Sequence, residues 1–159
     1  MTYHNDLLIA LRRITRAIDL HSKRLARESG LTAPQLMVLQ SVARTGRAKP
    51  SDIARDIYLS NATITSIVDR LVRAGLVERE RSAEDRRSVE VVISPKGSET
   101  VSDAPELLQS EFLAQFSELA DWEQTLVLSS VQRVAAMMDA DALDAAPILE
   151  IGELTDAGP

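Results

Sequence analysis

The 159-residue sequence has no cysteine and only two histidines, His4 and His21. The first absence removes disulfides, thiolate zinc sites and thiol-based redox sensing. The second leaves little for acid–base or metal chemistry, and no glycine-rich phosphate loop follows a strand-like run. Asp139, Asp141 and Asp144 lie close together, but the stretch lacks the glycine and terminal glutamate of a calcium loop, so solvation accounts for them better. No segment approaches the roughly 18 consecutive apolar residues of a membrane span. The opening stretch MTYHNDLLIALRRITRAIDL also lacks the charged-then-apolar order of a signal peptide. The expectation is a cytoplasmic protein that is not an enzyme, with no metal, no cofactor and no membrane partner. Neither an internal repeat nor a low-complexity tract is present.

What is there suits one globular domain over residues 1–159: the length supports an apolar core, and 45% of residues are hydrophobic. The net charge of −6 argues at first against a nucleic-acid partner, since phosphates need local positive potential. Its distribution reverses that inference. Six basic residues face three acidic ones over 1–43, ten face eight over 44–94, and two face thirteen over 95–159. The acidity belongs to the last third, so a positive face on the rest is allowed.

Leu7, Leu11, Ile14, Ile18 and Leu25 recur at mostly helical spacing, which predicts a long amphipathic helix over Leu7–Arg27 capped by Gly30. Thr32 with Gln35 has the spacing of a capping box for a second helix, which Gly46 closes. Pro50 suits the first position of a third helix, PSDIARDI, and Ser60 the N-cap of a fourth, NATITSIVDRLVRA, which ends at Gly75. LVERERS and SVEVVIS then read as two strands joined by the polar tip AEDRR. Ser94 and Pro95 restart helix. Apolar spacing predicts one helix from Lys96 to about Leu119, kinked at Pro105. Asp121 with Gln124 is expected to cap a last helix over WEQTLVLSSVQRVAAMMDADAL, and the tail over 143–159 has no clear period. The fold class is therefore mainly α with a small β-hairpin (α+β).

Two short helices with a tight turn, followed by a hairpin, suggest a winged helix-turn-helix at 32–94. In that arrangement one helix braces against the DNA backbone and the next lies in the major groove. The fourth helix, 61–74, has the two faces this needs. Ile64, Ile67, Val68 and Leu71 form an inward stripe, leaving Ala62, Thr63, Thr65, Ser66, Asp69, Arg70 and Arg73 outside. Asn61, Thr63 and Ser66 are the side chains aimed at base edges, and Ala62 can meet a thymine methyl. Ser60 and Thr65 complete the set expected at DNA. An ordinary amphipathic surface helix explains the periodicity alone equally well. The hairpin tip, 82–88, makes the difference, because Arg86 and Arg87 stand where a long side chain can enter a narrow minor groove.

The run IARDIYLSNATITSIVDRLVRAGLVERERSAEDRRSVEVVISPKG resembles the core of the MarR family of winged-helix repressors, with Asp85 and Arg87 in that family's Asp-x-Arg wing signature. The resemblance spans about residues 5–142. It implies a homodimeric transcriptional regulator, expected to be a repressor, bound to a pseudo-palindromic operator in double-stranded DNA. It also implies that Arg87 reaches the minor groove, that Thr63 and Ser66 touch bases, and that Arg70 and Ser51 contact phosphates. Asp85 is expected to orient the wing, and both Asp69 and Asp85 to pair with nearby arginines. Interlocked terminal helices, here 5–29 and 95–142, would place Leu7, Leu8, Leu11, Val131, Val134, Met137 and Met138 at the dimer interface, with an intramolecular core as the competing role. A small-molecule effector in a crevice is a further implication, with Arg16 and His21 as its polar candidates, although a histidine on a helix is commonly a surface or satisfied core residue. Many relatives carry glycine in the helix-turn-helix turn where this chain has Tyr58. That residue either sits at positive φ or the turn takes another geometry, and its side chain is expected to pack rather than donate to a phosphate. The alternative function is a winged-helix module for protein–protein contact with no DNA target.

Overall fold

In a computed structural model of the chain, residues 2–85 and 87–140 are described. The elements run α1 (Thr2–Ser29), α2 (Ala33–Thr45), β1 (Arg47–Ala48), α3 (Pro50–Ile57), α4 (Asn61–Arg73), β2 (Val77–Arg81), β3 (Val89–Ile93), α5 (Pro95–Asp103), α6 (Leu108–Ser117) and α7 (Asp121–Met137). They fall into two compact units, one running through Pro105 and the other starting at Glu106.

The first unit holds the apolar core. Leu36, Leu39 and Val42 of α2, Ile53 of α3, and Ile64, Ile67 and Leu71 of α4 are all buried, together with Val77 and Val91 of the sheet. The helix boundaries follow from local chemistry. Thr32 and Gln35 form a reciprocal capping box, and Gly46 closes α2 in the left-handed conformation. Pro50 occupies the first turn of α3. Ser60 Oγ accepts from the Thr63 N–H at 3.1 Å to start α4.

The sheet has the order β1-β3-β2 and is antiparallel throughout. Val77 pairs with Ile93 and Arg81 with Val89, so β2 and β3 form the expected hairpin. The two-residue β1, absent from the sequence reading, pairs Arg47 with Val92 and Ala48 with Val91.

The helices after the sheet differ from those expected. A single kinked helix over 96–119 does not form. Instead α5 ends at Asp103, Ala104 is extended at ψ 142°, and α6 begins at Leu108. The residue before a proline is driven out of helical backbone by clash with the ring, so Pro105 ends the helix through Ala104 rather than bending it. The last helix is not capped by Asp121, which lies inside it. Ala120 is the N-cap, and its N–H donates to the Glu123 carboxylate at 3.0 Å. α7 ends at Met137, short of the expected Leu143, and Asp139 follows at φ 54°. The expected tail, 143–159, lies outside the described residues, as does Arg86.

Candidate nucleic-acid interface

α4 buries Ile64, Ile67, Val68 and Leu71, the stripe its spacing predicts. Ser60, Asn61, Ala62, Thr65 and Arg73 are exposed, whereas Thr63, Ser66, Asp69 and Arg70 are half-buried. The Thr63 hydroxyl shares a 2.8 Å hydrogen bond with Ser60 Oγ, so it forms part of the cap as well as the outer face. Thr65 Oγ1 donates to the Asn61 carbonyl at 2.9 Å, and both residues are exposed on the first turns. Arg73 Nε donates to the Asp69 carbonyl at 3.3 Å. Ser51, one residue into α3, is exposed.

The hairpin tip is held by its own hydrogen bonds. Ser82 N–H donates to the Ser88 carbonyl at 3.0 Å, and Ser88 N–H to the Asp85 carbonyl at 2.9 Å. Asp85 was expected to pair with an arginine side chain. Its Oδ1 accepts the Arg87 backbone N–H at 2.9 Å, an Asx-type turn that fixes the tip while Arg87 stays exposed, and among the described residues no guanidinium pairs with it. Asp69 does form an ion pair, 2.6 Å from the Arg79 guanidinium on β2.

Three contacts that sequence reasoning missed hold this surface together. Arg47 of β1 reaches Glu90 of β3 at 3.3 Å and Glu80 of β2 at 3.7 Å, tying all three strands together. Ser41 of α2 donates to Asp56 of α3 at 2.7 Å, and Arg44 pairs with the same carboxylate. The segment Ser94–Gly97 locks α5 onto the far end of α4. Ser94 Oγ donates to the Gly75 carbonyl at 2.7 Å and accepts from Gly97 N–H at 2.9 Å. Lys96 Nζ donates to the Ala74 carbonyl at 2.8 Å, placing a cation at the negative end of the α4 dipole. A Cβ on Gly97 would overlap the Leu76 carbonyl oxygen, so only glycine permits this approach. The Ser-Pro-Lys-Gly run was legible as a helix start, but its hold on α4 was not.

Of the residues expected at other sites, Leu7, Leu8, Val131, Met137 and Met138 are exposed within the single chain, and Leu11 and Val134 are half-buried. No residue of α7 is buried in the single chain. Along α1 an open concavity of about 600 Å³ is lined by Ile9, Arg12, Arg13, Arg16, Ala17 and Leu20. Arg16 thus lies in a concave, basic and apolar strip, with one nitrogen 3.2 Å from Asp19. His21 is half-buried and is not part of the lining.

A helix-turn-helix carried on a three-helix core, with a β-hairpin beyond the second helix, defines a winged-helix protein. Residues 31–89 match the model of the MarR family. The chain is 25% identical over 129 residues to the uncharacterized HTH-type transcriptional regulator YsmB of Bacillus subtilis (strain 168), covering 81% of this chain and 88% of that one. It is 27% identical over 93 residues to the HTH-type transcriptional repressor MdtR of the same organism, covering 58% and 60%. Among solved structures, a MepR-like protein complexed with pseudoligands superposes with a TM-score of 0.58 at 25% identity, covering 87% of this chain and 97% of that one. Residues 31–89 thus resemble the DNA-binding lobe of the MarR family, and the relatives that the chain matches are named HTH-type transcriptional regulators.

Proposed function

We propose that the chain is a homodimeric repressor that binds a pseudo-palindromic operator in duplex DNA. In this reading the DNA-binding lobe spans residues 32–94, with helix 61–74 in the major groove and wing 82–88 at the minor groove. One observation carries it: α4 buries its apolar stripe while Ser60, Asn61, Ala62 and Thr65 stay exposed, beside a wing tip that presents Arg87. Asn61, Ala62, Thr63, Thr65 and Ser66 are assigned to base edges. Ser51, Arg70 and Arg73 are assigned to phosphates, where they fix register rather than sequence. Arg87 enters the minor groove, and Arg86 is assigned with it from sequence alone. Asp69 and Asp85 orient the wing.

A second copy is argued from apolar surface. Leu7, Leu8, Trp122, Leu126, Val131, Met137 and Met138 are all exposed in one chain, more apolar side chains than a stable monomer leaves in water. Helices in 5–29 and 95–142 would bury them against their two-fold mates. That arrangement sets half-sites about 10 base pairs apart. Repression is supported by the similarity to MdtR, a named repressor. Release by a small anionic or aromatic effector is supported by the basic concavity containing Arg16, with His21 as a second polar candidate. Such a ligand would act by favouring one spacing of the two recognition helices.

Selection of binding sites from random duplex DNA tests the reading, and the expected product is paired half-sites at the stated spacing. Arg87→Ala is expected to weaken binding roughly 5- to 100-fold and to reduce the salt dependence by about one phosphate, with the melting temperature unchanged. No enrichment of any duplex by the parent protein would favour a protein–protein module instead.

A further inference from the structure

The turn between α3 and α4 places Tyr58 at φ 57°, ψ 37°, in the left-handed region where a side chain with a Cβ is strained. The turn itself explains the backbone. The N–H groups of Tyr58 and Leu59 both donate to the Ala54 carbonyl, and that reversal needs a left-handed residue. Glycine would serve with less strain. Packing does not explain the tyrosine either: Ile57 is buried and Leu59 half-buried, while Tyr58 between them is 81% exposed. Its hydroxyl has no hydrogen-bond partner among the described residues, so the expectation that it packs is overturned.

Tyr58 stands two residues before the N-cap Ser60 and three before Asn61, at the end of α4 whose N–H groups point outward. A helix N-terminus favours an anion, and the phenol adds a neutral donor at the end of a rigid arm. We propose that Tyr58 is a DNA-contacting residue whose hydroxyl donates to a backbone phosphate oxygen flanking the groove entered by α4. This rests on the DNA-binding reading above. The contact fixes the depth and register of α4 without reading a base. Being uncharged, it adds no counterion release.

Tyr58→Phe and Tyr58→Gly separate this role from a structural one, read by fluorescence anisotropy on a selected operator and on a random duplex at several salt concentrations. Tyr58→Phe keeps ring and backbone and removes the donor. Its affinity is expected to fall about 3- to 10-fold on both duplexes, with an unchanged salt slope. Tyr58→Gly relieves the backbone and is expected to raise Tm by about 2 °C while binding no better than Tyr58→Phe. Binding by Tyr58→Phe within twofold of the parent overturns the proposal, and so does a loss confined to one base position. A Tyr58→Gly protein that melts lower also overturns it, since the side chain would then be structural. If the parent binds no duplex at all, the DNA reading falls and this inference with it, whereas a normal parent with unaffected variants refutes Tyr58 alone.

Discussion

The Asp69 carboxylate of α4 lies 2.6 Å from the Arg79 guanidinium of β2. Helix and wing are joined covalently through the Gly75 turn and clasped again by this pair, so the angle between them is set at two points. Both side chains are partly exposed, at 44% and 38%, which limits the pair's contribution to stability. Asp69→Asn should change the unfolding free energy by less than about 1 kcal/mol in urea titrations. Amide exchange in the wing, including Ser82 N–H, should nevertheless quicken as the clasp opens. Unaltered wing exchange would mean that the hairpin's own hydrogen bonds suffice.

Among the described glycines, Gly97 is the one at which an added side chain meets an obstacle. A Cβ there meets the Leu76 carbonyl oxygen and comes within 3.0 Å of Ile93 Cδ1, and the nearer obstacle is backbone, which cannot rotate aside. Gly97→Ala is expected to destabilise by about 2–3 kcal/mol, at the upper end for overpacking. Ser98→Ala next to it, on an exposed residue, should stay within about 0.5 kcal/mol. Paired denaturation curves check both.

Ser94→Ala removes the α5 cap and leaves the Gly75 carbonyl without its hydroxyl donor. The expected loss is about 1–2 kcal/mol. Lys96→Ala, which removes an exposed charge from the end of α4, should lose no more than about 1 kcal/mol. Reversal of that order would place more of the lock in the charge than in the cap.

Val131 is 61% exposed in the single chain, so a carboxylate there meets water unless a second copy covers it. Val131→Glu should shift the mass in sedimentation from dimer to monomer, with helix content unchanged by circular dichroism. The same variant should lose most of its affinity for a two-half-site operator and little for a single half-site. A dimer that survives the substitution would move the interface away from this face.

Core truncation gives a reference for these effects. Ile64→Ala, at a fully buried position in α4, should cost about 2–5 kcal/mol by thermal or urea unfolding. Thr65→Ala, one residue on and exposed, should leave stability nearly unchanged while lowering operator affinity.

What the sequence determined by itself is short-range. Thr32 with Gln35, Gly46, Pro50 and Ser60 mark helix ends because capping chemistry acts within four residues. The stripe of Ile64, Ile67, Val68 and Leu71 shows the inner face of α4 because one helix face must leave water. Where two local signals competed, the reading failed: apolar spacing carried a helix across Ala104, and the backbone clash before Pro105 prevailed. Only the tertiary structure decided the rest. Arg47 and Ala48 have no strand pattern and become β1 solely through pairing with Val91 and Val92. Asp85 accepts the Arg87 backbone N–H, and Asp69 finds Arg79 only once the hairpin folds back. Tyr58 could pack or stand exposed until its neighbours' burial was known. Each depends on groups brought close by the chain's folding, and no period or spacing along the sequence encodes that proximity.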